Sequence, residues 1–145
     1  MRPKYLVTIL ILLALGVPAS PARAGGIVGV CDEAHLLAAL SGGGMVTFSC
    51  SGTIILTATI RIEANTVIDG SGQTVSISGN QATRVFFVIP EIALNLNELT
   101  IADGSIYGSG GGIYNQGTLT VNNSTFSGNT ANLYGGGIYN RHYRD

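Results

Sequence analysis

Apolar and polar residues alternate in short runs along most of the chain. Leu119-Thr120-Val121-Asn122 and Val75-Ser76-Ile77-Ser78 are clear cases, and clusters of Gly, Asn, Asp or Ser separate such runs. A period of two puts alternate side chains on opposite faces of extended backbone, so these are strands of three to five residues bounded by turns. Met45 to Cys50, Thr53 to Thr57, Thr59 to Ile62, Thr66 to Asp69 and Thr74 to Ser78 read the same way. One stretch departs from the pattern. Asp32 is an N-cap acid, Leu36, Leu37 and Leu40 follow at helical spacing, and Ser41-Gly42-Gly43-Gly44 ends the run, which predicts a short amphipathic helix.

The strands recur. Gly110-Gly111-Gly112-Ile113-Tyr114-Asn115 returns as Gly135-Gly136-Gly137-Ile138-Tyr139-Asn140, a period of about 25 residues, in the range of stacked-repeat architectures. The same step carries Leu94-Asn95-Leu96-Asn97 onto Leu119-Thr120-Val121-Asn122, Thr100-Ile101 onto Thr125-Phe126, and Val88 onto Ile113 and Ile138. A chain making about three short strands per repeat satisfies its backbone by stacking each turn on the last, about 4.8 Å apart. The expected fold is all-β: a right-handed parallel β-helix of four to five turns. Its inward columns would be Val88-Ile113-Ile138, Leu94-Leu119, Leu96-Val121 and Ile101-Phe126. The glycine triplets fit corners that need positive φ or leave no room for a side chain. Asn97 over Asn122 and Asn115 over Asn140 are expected to stack amide on amide. Leucine-rich repeats, sandwiches and barrels do not account for this register.

Composition narrows the setting. Arg2 and Lys4, the apolar run Leu6 to Val17, and Ala22-Arg23-Ala24 read as an export signal cleaved before Gly25. Pro18 and Pro21 end the apolar run short of the roughly 20 residues of a membrane span, so the mature chain is expected to lack one. Removing residues 1–24 takes three of the seven basic residues, leaving four against eight acids, a net charge of −4. That balance disfavours nucleic acid as a partner. Charged residues are only 10% of the chain, which suits a stacked, turn-rich β structure better than an average globular domain. In an oxidising compartment Cys31 and Cys50 should pair; metal ligation or a reactive thiol would want a neighbouring His-Cys cluster, which is lacking.

The expected organisation is a signal over 1–24, an N-terminal cap with its helix over 25–44, repeats over 45–140 and an aberrant tail over 141–145. The helix, fastened by Cys31 to Cys50, would cover the open end of the first turn. After Asn140 the period calls for another strand, yet Arg141-His142-Tyr143-Arg144-Asp145 follows, as a fragment or truncated frame would show; its open end is a candidate for edge-to-edge self-association.

These residues resemble the polymorphic outer-membrane protein repeat and the wider group of exported bacterial β-helix proteins of pectin-lyase-like fold. Gly110-Gly111-Gly112-Ile113-Tyr114, its copy from Gly135, and Phe126-Ser127-Gly128-Asn129, similar to the family's Phe-x-x-Asn element, carry the resemblance. Ile101-Ala102-Asp103-Gly104 departs from it. The resemblance implies an adhesin, stalk or passenger segment, secreted or at the cell surface; surface glycans or a host or neighbouring cell surface are the expected partners. The fold itself does not specify function.

A lyase or hydrolase on this fold would need clustered carboxylates with calcium and a base, or paired carboxylates about a glycosidic bond. The acids here are mostly solitary, and Asp69, Glu98, Asp103 and Arg84 are the least implausible participants. No catalytic set, metal or cofactor is expected: His35 and His142 lack partners at ligand spacing, and no nucleotide or calcium glycine motif occurs. If Ile113 and Ile138 point inward, Tyr114 and Tyr139 point outward one turn apart. Such a ladder packs turns and protects an edge, and it also offers a platform for sugar rings. The reading is therefore a non-catalytic, structural or adhesive surface β-helix, with a truncated remnant of a polysaccharide lyase or glycoside hydrolase as the alternative.

Overall fold

The computed structural model describes residues 25–141, a parallel β-solenoid of about four turns with one short helix near its N-terminus. The export signal with Ala22 and Ala24, and the tail from His142, lie outside the described residues; Gly25 opens the first strand. The strands are β1 Gly25–Val28, β2 Gly44–Phe48, β3 Gly52–Ile55, β4 Ile60–Ile62, β5 Thr66–Asp69, β6 Val75–Ser78, β7 Phe86–Val88, β8 Ala93–Asn97, β9 Thr100–Ala102, β10 Ser105–Ile106, β11 Ile113–Asn115, β12 Thr118–Asn122, β13 Thr125–Ser127, β14 Thr130–Ala131 and β15 Ile138–Asn140. Three parallel sheets run the length of the solenoid: A (β1-β2-β5-β8-β12), B (β3-β6-β9-β13) and C (β4-β7-β11-β15). The last two turns add a fourth strand each, β10 paired with β14, beyond the three per turn that the sequence pattern suggested.

The inward residues form aliphatic columns. Buried Val46, Ile68 and Leu96 line up in sheet A and continue to Val121, which is exposed in the last turn, and Leu94 lines up with Leu119. Ile54, Ile77, Ile101 and Phe126 do so in sheet B. These match the expected columns. Sheet C does not: Ile113 stacks on Ile138 but lies over Phe86, and Val88 lies under Asn115. A constant step would have put Val88 under Ile113, so the register slips by two at this level. The column Ile62, Val88, Asn115, Asn140 thus changes from aliphatic to amide. Asn115 is buried, and it donates to Asn140 Oδ1 (3.0 Å) and Gly117 O while accepting from Gly117 N. Its polar atoms are all paired, which removes the desolvation penalty.

Corners repeat as faithfully as strands. Gly110 and Gly135 have φ of 70° and 61°, a conformation that costs a residue with a Cβ. Gly111 is there for space instead, since a Cβ would strike the Thr130 carbonyl of the next turn. Asn129 turns inward, accepting from Gly104 N (2.8 Å) and donating to Ile101 O (2.8 Å). In the preceding turn Gly104 occupies the position of Asn129, where any side chain would meet the Gly111 carbonyl, so the departure Ile101-Ala102-Asp103-Gly104 makes room for the turn above.

The helix, α1 Glu33–Leu40, has Asp32 as N-cap, accepting from His35 N at 2.8 Å, with the exposed His35 ring also on that carboxylate. Leu36 and Ala39 are buried and Leu40 packs on the core, whereas Leu37 is exposed. What the sequence did not suggest is β1, which continues sheet A before the helix and pairs with β2. Gly26 of β1 faces Ala39 at close range, so the helix packs against this extra strand. Glu33 clamps the helix to the first turn, accepting from Thr57 N and Thr57 Oγ1, each at 2.8 Å. Cys31 and Cys50 are disulfide-bonded, with Cα atoms 5.7 Å apart and 19 residues of separation. By chain entropy a loop of that size stabilises the fold by about 3 kcal/mol. The double variant Cys31→Ser with Cys50→Ser should therefore lose about 3 kcal/mol in urea unfolding; an unchanged midpoint would remove the disulfide from this role.

Candidate functional site

Each sheet presents an outward row to its surroundings. In sheet A the row is Thr47, Asp69, Asn97 and Asn122. In sheet B it is Thr53, Ser76, Thr100 and Thr125. The sheet B row is all hydroxyl, whereas the sheet A row holds one hydroxyl, one acid and two amides and is preceded in β1 by exposed Ile27. Sheet C differs in kind, for its row is Arg61, Phe87, Tyr114 and Tyr139, one residue per turn in strict register.

The geometry of that row is a shingled stack. Phe87 and Tyr114 have parallel planes, 2° apart, and centroids 5.1 Å apart. Aromatic faces in contact lie about 3.5 Å apart, so these rings are laterally offset and each covers only part of the next. Tyr139 continues the row at 5.3 Å from Tyr114, tilted by 46°, and Tyr134 stacks on Tyr139 at 6.1 Å. The expected outward pair Tyr114 and Tyr139 thus forms, half-exposed, and does pack turn against turn.

Cations complete the face. The Arg61 guanidinium lies 4.8 Å from the Phe87 centroid, and Arg84 lies 5.6 Å from Phe87 and 5.0 Å from Tyr114. Arg84 is held in place by two backbone acceptors, Nε to Gly110 O (2.8 Å) and Nη2 to Ser109 O (2.9 Å). Burial holds its pKa below the ordinary arginine value, while the neighbouring Tyr114 acts the other way; a guanidinium remains charged regardless. Arg141 reaches Tyr114 Oη with Nη1 at 3.3 Å. Glu63 pairs with Arg61 Nε at 3.1 Å. At this end of the row a groove of about 470 Å³ opens between the helix and β4, lined by Leu37, Leu40, Ile60, Arg61, Ile62 and Glu63 among others.

The residues weighed for catalysis are spread over the solenoid. Asp69 ends β5 on sheet A, and its carboxylate accepts from the Ser71 hydroxyl, Ser71 N (3.0 Å) and Asn97 Nδ2 (2.8 Å). Those bonds hold its pKa below the usual carboxylate range, the Ser71 side chain contributing most. Asn97, though in register with Asn122, therefore turns its amide to Asp69 and Ser71. Glu98 and Asp103 sit at corners with φ of 51° and 49°. Arg84 belongs to the aromatic face of sheet C. Among the described residues no group of three or more His, Cys, Asp or Glu is placed to hold a metal ion, and no helix is long and apolar enough to cross a membrane. The sequence pattern missed Phe87, Tyr134, Arg61 and Arg141 as companions of the tyrosines. Alternation could have marked Phe87, which follows buried Phe86.

Residues 74–116 and 123–141 match the family model of the Chlamydia polymorphic membrane protein (Chlamydia_PMP) repeat. Over these two segments the chain is similar to that repeat. The matched polymorphic membrane protein segments run from β6 through β11 and from the corner after β12 through β15, and so include Phe87, Tyr114, Tyr134 and Tyr139. The resemblance drawn from Gly110 to Tyr114, Gly135 to Tyr139 and Phe126 to Asn129 is thereby confirmed. No curated protein and no solved structure matches the chain.

Glu33, like Asp69, is held below the usual carboxylate range, chiefly by the bond from Thr57 N. Both acids bind protons more weakly folded than unfolded, so their contribution is fully present above the ordinary values of roughly 4 and disappears as pH falls through the depressed ones. The urea midpoint should be level from neutrality to about pH 5.5 and decline below about pH 4.5. Glu33→Gln should make the decline shallower, and an unaltered acid limb would contradict the role given to the Thr57 clamp.

Proposed function

We propose that this chain is a non-catalytic repeat protein of the cell surface or outer membrane, whose solenoid displays an adhesive face to glycans along sheet C. Its similarity to the polymorphic membrane protein repeat supports the surface location, and the export signal read in its first residues agrees with it. The observation that carries the binding face is the outward row of sheet C, which stacks large planar side chains turn on turn, while sheets A and B expose small polar residues with Ile27, Met45 and Ile55 set apart from any ring. Sugar rings present C–H groups on their faces and hydroxyls at their edges, and they pack on half-exposed aromatic rings flanked by hydrogen-bond donors. Successive rings stand one turn apart, so a sugar chain lying along the solenoid axis meets a ring at each step. Asp69 and Glu98 share the corner after sheet A, but Asp103 follows sheet B and Arg84 lies on sheet C, and that separation supports the non-catalytic reading over that of a lyase or hydrolase remnant.

The double variant Tyr114→Ala with Tyr139→Ala should weaken binding to immobilised glycans at least tenfold, about 1.4 kcal/mol, with an unchanged far-ultraviolet circular dichroism spectrum. Unaltered binding by a folded double variant would overturn the proposal.

A further inference from the structure

The charges of this protein are segregated. Residues 25–141 contain three arginines, Arg61, Arg84 and Arg141, no lysine, and seven acids. All three arginines lie against the rings of sheet C. The acids lie mostly elsewhere: Asp32 and Glu33 on the cap, Asp69 and Glu98 at the corner after sheet A, Glu91 between β7 and β8, and Asp103 after β9. Glu63 and Glu91 each follow a strand of sheet C, and of these Glu63 is bonded to Arg61. Among the described residues, whose net charge is negative, the three cations thus lie on one face, where the field favours a negative ligand.

The structure also indicates which kind of anion. Glu63 already lays a carboxylate on Arg61 at 3.1 Å, so a planar acid group fits there. Arg84 is half-buried and fixed by the carbonyls of Ser109 and Gly110 through its Nε and Nη2; among the described residues its Nη1 makes no hydrogen bond. A guanidinium pre-positioned over aromatic faces loses little freedom on meeting a second acceptor, and its fork matches a carboxylate. We propose that the outer row of sheet C binds an acidic sugar chain, its rings against Phe87, Tyr114 and Tyr139 and its carboxylates on Arg61 and Arg84. This rests on the glycan reading above and adds the substrate class.

Calorimetric titration of the full chain with a glucuronate-containing tetrasaccharide, and with the same tetrasaccharide methyl-esterified at its carboxylates, tests the inference. The acid form should bind at least tenfold more tightly than the ester, and its affinity should fall as salt rises. Arg61→Gln should weaken the acid form several-fold. Glu63→Gln, which removes the competing carboxylate, should strengthen it several-fold. Both residues are exposed, and matching circular dichroism spectra would verify that the variants fold. Equal binding of acid and ester, with Glu63→Gln neutral, would overturn the acid preference and leave the glycan reading standing. Tighter binding of a sulfated tetrasaccharide than of the glucuronate form would overturn the choice of carboxylate. Binding of neither the acid nor the ester would overturn both readings.

Discussion

Pairing of each turn's backbone with the next is the constraint on which everything else in this solenoid depends. A strand of three to five residues is too short to hold itself, and a parallel partner is reached only after a full circuit. Once three sheets are paired in register, every residue acquires a neighbour above and below of fixed identity. Inward positions must therefore be apolar or carry their own partners, as the Asn115 to Asn140 amide bond does. Corners must return the chain at the same height each time, and they do so with matched backbone: Glu98 and Asn123, Asp103 and Gly128, and Gly110 and Gly135 all have positive φ one turn apart. Several corner groups left unpaired by the sheets are satisfied by side chains from adjacent turns, Asn129 on Gly104 and Ile101, Ser124 on Leu99.

Such a structure is legible where its period is constant. Between the last two turns all three sheets advance by one and the same step, Ile113 to Ile138, Leu94 to Leu119 and Ile101 to Phe126. There the self-similarity of the sequence yields the columns and the outward tyrosines. Farther back sheet A takes a shorter step from Gly44 to Thr66 and a longer one from Thr66 to Leu94. Loop length varies freely because corners project into solvent, whereas strand pairing fixes only the residues that meet. Alternation reveals which way a residue faces but not its height in the stack. A constant step accordingly puts Val88 in the Ile113 column, whereas it lies under Asn115. The segment β1 is hidden for another reason: Gly25-Gly26-Ile27-Val28 has the glycine content of a linker, and only the structure shows that Gly25, with φ of 91° and no room for a Cβ beside the Met45 carbonyl, has to be glycine.

The candidate site shows the same division. Tyr114 to Tyr139 is the repeat step itself, but Phe87 to Tyr114 is longer by two and Arg61 to Phe87 longer by one. A comparison at one fixed step finds the last pair and overlooks the two members below. Arg84 and Tyr134 lie outside the strands, and their approach to the rings is set by corner conformation. The cysteines and the helix were easier, since pairing and capping are local chemistry that does not depend on the register of distant turns.

Stacking also separates stability from recognition. Inward columns bury aliphatic side chains and tolerate little change, while outward rows contribute less to the core and are open to substitution without loss of the fold. Arg84 is where the two meet. Its guanidinium lies on the rings of sheet C, yet its Nε and Nη2 bind carbonyls at the start of the glycine triplet, whose Gly110 must adopt positive φ to return the chain to β11. The corner that sets the height of Tyr114 is thus tied to the cation that lies over it. Placement of the charge and spacing of the rings are consequences of one loop conformation, so the face is as rigid as the turn that carries it.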